Sequence, residues 1–200
     1  MKYQKAVSHI KNNDIILGKV INSIGKCTLS YTSRDPFDVL VSSIISQQLS
    51  ANAAKTIKNR LLGISGNDIK FDPKKILQKT ETEIKKAGLS KNKTKYIKEL
   101  AKSVGSGKLN FRKLTAGGDQ MVIDTLVNQP GIGPWTAEMF LIFSLGRLDV
   151  LSLGDAGLKR AVKNIYGFKK NVTNKELVEL GNCWKPYRSI ASWYLWRSLD

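Results

Sequence analysis

The chain has 200 residues, 42% of them hydrophobic, enough to bury a real core and to exclude a disordered polymer. Its 33 Lys and Arg against 16 Asp and Glu give a formal net charge of +17, so a polyanion is the expected partner unless the excess is only a solvated, lysine-rich surface. Cys27 and Cys183 are too few and too far apart for a disulfide framework, and no Cys/His cluster offers zinc or iron–sulfur ligands.

Helix follows helix along the chain, with Gly, Asn and Ser as punctuation and no period-two strand of useful length, so the predicted fold class is all-α. Residues 3 to 24 form the opening helical segment. Asp35-Pro36 starts an amphipathic helix with Phe37, Leu40, Val41, Ile44 and Ile45 on one face, leading to Ser46-Gln47-Gln48-Leu49-Ser50. Ser50 caps a helix from Ala51 to Leu62, closed by Gly63, and Thr80 with Glu83 makes a capping box before a helix that stops at Gly88. Helices are predicted at 91 to 104 and 119 to 129, with 105 to 118 a long loop, then at 155 to 166 and 186 to 198. There is no repeat or low-complexity tract, so residues 1 to 200 read as one domain, with two helical lobes as the alternative organisation. Lys2, Lys5, Lys11 and Asp14 interrupt any N-terminal apolar run, and no later segment reaches about eighteen apolar residues. The expectation is an intracellular monomer, cytoplasmic and nucleoid-associated or nuclear, neither secreted nor in a membrane.

Residues 126 to 137, Leu-Val-Asn-Gln-Pro-Gly-Ile-Gly-Pro-Trp-Thr-Ala, are the most informative stretch. Gln129-Pro130-Gly131 stops one helix. Gly131 and Gly133 allow positive φ and close approach by another molecule, and Pro134 suits the first turn of a second helix running to Gly146. The first amides of that helix lack intrahelical partners and lie at the positive end of its dipole, so a DNA phosphate is a natural ligand. The alternative is a tight helix–helix turn that binds nothing. The basic residues are partly clustered. Lys91, Lys93, Lys95, Lys98 and Lys102 crowd one predicted helix, and Lys159, Arg160 and Lys163 follow the isolated carboxylate of Asp155, where a phosphate backbone would pass.

These residues resemble the helix-hairpin-helix DNA glycosylases, and among them the alkylbase, DNA-3-methyladenine glycosylase type II branch. The resemblance runs over most of the chain. It rests on Asp35-Pro36-Phe37 through Ser43-Ile44-Ile45-Ser46-Gln47-Gln48-Leu49-Ser50, on Gly88-Leu89-Ser90 with Lys93, on Pro130 to Ala137, and on Trp184-Lys185-Pro186-Tyr187-Arg188-Ser189 to Trp196. It implies two helical lobes with a damaged-base pocket between them, without the N-terminal β-domain of larger members. It also implies double-stranded DNA containing alkylated bases as the partner.

By this resemblance Asp155 is the catalytic acid, stabilising positive charge on the sugar and orienting or deprotonating the attacking water. As the residue before a helix, Asp155 is also a favoured N-cap, and the two roles are compatible. Family members usually carry a proline just ahead of this Asp, whereas Leu151-Ser152-Leu153-Gly154 stands here; Asp149 is expected to cap or to pair with an Arg such as Arg147. Trp135 occupies the place where strand-nicking relatives carry a Schiff-base lysine, which implies a monofunctional enzyme with water as nucleophile. Trp135, Trp196 and Met139 are the implied base-pocket residues. An indole favours a cationic alkylpurine over a neutral base by roughly 0.5–2 kcal/mol. Trp184 and Trp193 read as core. Gln48 corresponds to the side chain that wedges into the gap left by the flipped base, the alternative being a residue that kinks the junction near Ser50. Gly131, Ile132, Gly133, Trp135, Thr136 and Lys159 are the implied DNA-backbone contacts. No side-chain metal site and no cofactor are expected, although a monovalent cation held by hairpin carbonyls is compatible with the motif. A non-catalytic module that binds alkylated DNA, and a glycosylase for deaminated or etheno purines, stay open.

Overall fold

The computed structural model describes residues 3–30, 35–66 and 69–200. Among them every regular element is helical: α1 Gln4–Asn13, α2 Ile15–Ile24, α3 Pro36–Ser46, α4 Ala51–Ile64, α5 Pro73–Gln78, α6 Glu81–Lys85, α7 Lys91–Gly105, α8 Phe111–Ala116, α9 Asp119–Val127, α10 Pro134–Phe143, α11 Ala156–Tyr166, α12 Asn174–Gly181, a short 3-10 turn Asn182–Trp184, and α13 Arg188–Arg197. The chain divides into two compact units, Met1–Tyr31 with Gly146–Asp200, and Thr32–Leu145.

In the unit built from both ends of the chain, the expected opening helical segment consists of two helices. Asp14 separates them because its backbone is extended and its carboxylate caps α2 by accepting from Leu17 N at 2.9 Å. The same buried carboxylate accepts from the Trp184 indole at 2.8 Å and from the Tyr166 hydroxyl at 2.5 Å. Burial first, and then the Asp14 hydrogen bond, push the Tyr166 phenol far above its ordinary range, so it stays a donor. An orphaned buried donor costs about 1–3 kcal/mol, so Asp14 fastens the start of α2 to the end of α11 and to the turn before α13. Around it Ile10, Leu17, Ile21, Leu158, Val162, Trp184, Ile190 and Leu195 form the core. Trp184 and Trp193 are buried, as expected of core residues. Cys27 and Cys183 are free thiols.

In the other unit, α3 is capped by Asp35 through Phe37 N and buries Phe37, Leu40, Val41, Ile44 and Ile45 against α4, α7 and α10. Ser50 caps α4 through Ala53 N, but α4 runs through Gly63 to Ile64, and the left-handed residue past its end is Gly66. The Thr80/Glu83 capping box forms as read, and Gly88 takes positive φ after α6. The predicted 105–118 loop is interrupted by α8, which Asn110 caps through Lys113 N and Leu114 anchors in the core. So short a helix shows no hydrophobic period, which is why pattern reading passes over it. Three further elements escaped prediction: α5, the 3-10 turn and α12. The signal for α12 was present, since Thr173 and Glu176 repeat the capping box of Thr80 and Glu83.

Candidate active site and nucleic-acid interface

The hairpin lies wholly in the second unit. Helix α9 ends at Val127, and the turn closes with Gln129 N donating to Leu126 O at 2.9 Å and Ile132 N to Gln129 O at 3.1 Å. The two glycines have different reasons to be glycine. Gly131 has φ +83°, and a Cβ there would collide with the Tyr96 ring. Gly133, expected to share that freedom, is extended at φ −93°, a conformation open to any residue, and a Cβ there would meet nothing within 4 Å. Nothing within the protein therefore requires a glycine at this position. Pro134 opens α10, and no side chain caps it. Ile132 and Thr136 are buried, so as DNA contacts they have backbone amides to offer rather than side chains. Trp135 is 46% exposed, while Met139, one turn on, is buried. The exposed indole thus stands on the first turn of α10.

Also in this unit, α3 gives way at Ser46 to a tight turn closed by Leu49 N donating to Ser46 O at 3.1 Å. Gln48 sits at its tip with φ +58°, the one non-glycine residue in the left-handed region among those described, and its side chain is exposed. That conformation costs about 1–3 kcal/mol and persists only where the surroundings impose it. Gln47, beside it, donates Nε2 to Gly131 O at 2.8 Å, joining this turn to the hairpin.

Asp155 belongs to the first unit. It is buried and it caps α11, with Oδ1 accepting from Leu158 N at 2.5 Å. The cap reading and the site reading therefore describe one geometry: the carboxylate faces the positive end of the α11 dipole. The Trp196 indole donates to the same oxygen at 3.2 Å, so this tryptophan, expected as a base-pocket wall, is also a partner of the acid. Gly157, which pattern reading missed, keeps room beside them. A Cβ there would stand 3.2 Å from Asp155 Oδ1 and 3.8 Å from Trp196 Cδ1. The available signal was a glycine in the first turn of a helix, where Gly is disfavoured.

The loop ahead of Asp155 is held by contacts other than a proline. Asp149 pairs with Arg188 rather than Arg147, Nε to Oδ1 at 2.7 Å and Nη2 to Oδ2 at 2.9 Å. The fork geometry of Arg suits such a two-point pair. Val150 N donates to Ser189 Oγ at 2.9 Å, and Ser189 N donates to Leu148 O at 2.9 Å. Further along, Leu151 fills the space a side chain at Gly181 would occupy, Ser152 is buried, and Asp155 N donates to Ser152 O at 3.3 Å. The start of α13 is thus a template for the loop that aims the acid.

Beyond Asp155, Lys159, Arg160 and Lys163 line a groove of about 580 Å³ with Ala156, Asn164, Asn171 and Val172. Lys159 Nζ donates to Asn174 Oδ1 at 2.7 Å, a neutral partner that orients the ammonium without cancelling its charge. Among the described residues no three His, Cys, Asp or Glu are placed to hold a metal ion, and no helix is long and apolar enough to cross a membrane.

Residues 41–186 match the HhH-GPD superfamily base excision DNA repair protein profile. The chain is 30% identical over 198 residues to the alkylbase DNA glycosidase-like protein mag2 of Schizosaccharomyces pombe, covering 98% of this chain and 93% of the relative. Among solved structures it is similar to a DNA-3-methyladenine glycosidase from Bacillus halodurans, with TM-score 0.86, 40% identity, and 96% and 88% of the two chains covered. It is also similar to the Schizosaccharomyces pombe 3-methyladenine DNA glycosylase Mag1 in complex with abasic DNA, with TM-score 0.87, 29% identity, and 98% and 96% covered. With the hairpin, the capping acid and the Arg188-pinned loop all present, the chain belongs to the HhH-GPD superfamily of base excision DNA repair proteins, in its alkylbase glycosylase branch.

Proposed function

We propose that this protein is a monofunctional DNA glycosylase that removes alkylated purines of the 3-methyladenine and 7-methylguanine type from duplex DNA by hydrolysing the N-glycosidic bond. The observation that carries the reading is the Asp155 carboxylate, buried yet fixed by a backbone amide and an indole N–H. As the bond to the purine breaks, positive charge builds on the sugar, and a carboxylate already oriented by fixed dipoles stabilises it without reorganising. The same carboxylate can orient or deprotonate the attacking water. Position 135 holds tryptophan, which cannot form a Schiff base, so the product is an intact abasic site. In the second unit the hairpin amides grip phosphates, the exposed Trp135 indole is offered to a cationic base and Gln48 fills the vacated stack; in the first unit Lys159 meets a phosphate and Trp196 holds the acid. The relatives named for 3-methyladenine support this substrate class. No cofactor takes part in this scheme. A monovalent cation at the hairpin would share the Gly131 carbonyl with Gln47 Nε2 or use its neighbours.

The test is to incubate wild type and Asp155→Asn with methylated duplex DNA and with duplexes carrying hypoxanthine or ethenoadenine, identify released bases by chromatography, and score strand breaks with and without alkali. Release of methylpurines by wild type alone, with breaks that need alkali, is the expected result. Tight binding without release would sink the enzyme reading and leave a damage-binding module. Breaks without alkali would overturn the monofunctional assignment, and release confined to hypoxanthine or ethenoadenine would move the substrate class.

A further inference from the structure

Lys93 is the third residue of α7, where a cation opposes the dipole of its own helix. Its ammonium turns away to another helix. Nζ donates to Ile45 O at 2.8 Å and to Gln47 O at 2.5 Å, carbonyls at the end of α3 that the helix itself leaves unsatisfied. There it meets the negative end of the α3 dipole. Burial lowers the Lys93 pKa, and the two carbonyls supply the hydrogen-bond acceptors its amine needs there. The Gln47 carbonyl belongs to the peptide that leads into Gln48, so Lys93 holds one side of the peptide whose other side carries the left-handed residue. One turn along α7 from Lys93, the Tyr96 ring fills the space beneath Gly131. Between the two, Gln47 Nε2 binds the Gly131 carbonyl.

We propose that Lys93 and Gln47 are positioning residues for base flipping: together they lock the turn that presents Gln48 to the hairpin that grips the backbone, so that the wedge enters the duplex at a set offset from the phosphates. This rests on the reading of Gln48 as the wedge. A loose turn would let Gln48 relax into an ordinary backbone conformation and withdraw its side chain, while leaving the hairpin amides and Asp155 in place.

A double-mutant cycle separates this from a role in stability. Lys93→Met, Gln47→Ala, Gln48→Ala and the two doubles with Gln48→Ala are compared for single-turnover excision of 7-methylguanine. One substrate is a paired duplex with 2-aminopurine beside the orphaned base, and the other holds the same lesion in an unpaired bulge. The expected result is that each single variant lowers excision from the paired duplex by about tenfold, that each double is no worse than Gln48→Ala alone, and that the 2-aminopurine signal of wedge entry falls with it. In Lys93→Met and Gln47→Ala, excision from the bulge, where no stack has to be opened, stays within about twofold of wild type. Multiplicative losses in the doubles would overturn the inference while leaving the wedge reading intact, as would equal losses on both substrates. If Gln48→Ala alone leaves paired excision unchanged, the wedge reading fails first and the inference falls with it. Gln47→Ala carries the test should Lys93→Met unfold, since it removes the bond to Gly131 without stranding the Ile45 and Gln47 carbonyls.

Discussion

Helices α10 and α11 both begin at a point of functional interest, and they treat the positive end of their dipoles in opposite ways. Helix α10 starts from Gly133, which supplies no capping side chain, and its first turn carries the exposed Trp135. Helix α11 starts from Asp155, whose own carboxylate takes the cap and lies buried. On the proposed function the first is left to an external anion and suits reversible grip on a phosphate. The second fills its N-terminus with an internal anion, which on the proposed function stabilises the positive charge that develops during the reaction. One electrostatic device therefore serves two ends, and the residue at the cap decides which.

The largest effect should come from separating charge from cap at Asp155. Asp155→Asn keeps a side chain able to cap but loses the charge, and should lower excision by about a hundred- to a thousandfold with little change in the unfolding midpoint. Asp155→Ala should lose the same activity and about 1 kcal/mol of stability besides, read by urea unfolding. Equal destabilisation by the two would break the claim that cap and charge are separable.

At the other N-terminus the paired test is Gly131→Ala against Gly133→Ala. The first forces a side chain into positive φ and into Tyr96, and should cost at least about 1–2 kcal/mol of stability. The second should change stability by less than about 0.5 kcal/mol, because its methyl points into open space, yet weaken DNA binding about tenfold by standing off the phosphate. Fluorescence anisotropy on an undamaged duplex measures the affinity. Unchanged affinity in Gly133→Ala would mean that α10 does not receive a phosphate.

Smaller changes sharpen the comparison. Trp196→Phe keeps most of the ring but removes the N–H donated to Asp155, and should slow single-turnover excision about tenfold or less without altering undamaged-duplex affinity. A loss confined to affinity would return Trp196 to the binding side. Lys159→Ala should leave the chemical step alone and reduce the slope of log affinity against log salt by about one, the mark of a single phosphate contact.

Much of this arrangement was legible in the chain because its signals are short-range. Caps by Asp35, Ser50, Thr80 and Asp155, and the hairpin from Gln129 to Pro134, are each decided within a few residues by backbone hydrogen bonding and φ preference. Where short-range reading failed, the elements were too brief to show a period, as with α8, or a local rule was assumed to apply twice, as with Gly133. Composition and pattern by themselves determined an all-α fold class and a strongly basic chain, while the resemblance pointed to Asp155 as the acid. Tertiary structure alone decided which groups meet: Gln47 with Gly131 across 84 residues, Trp196 with Asp155 across 41, and Arg188 with Asp149 across 39. Such pairs depend on how amphipathic faces pack, and many sequences with the same helical period would bring different side chains together.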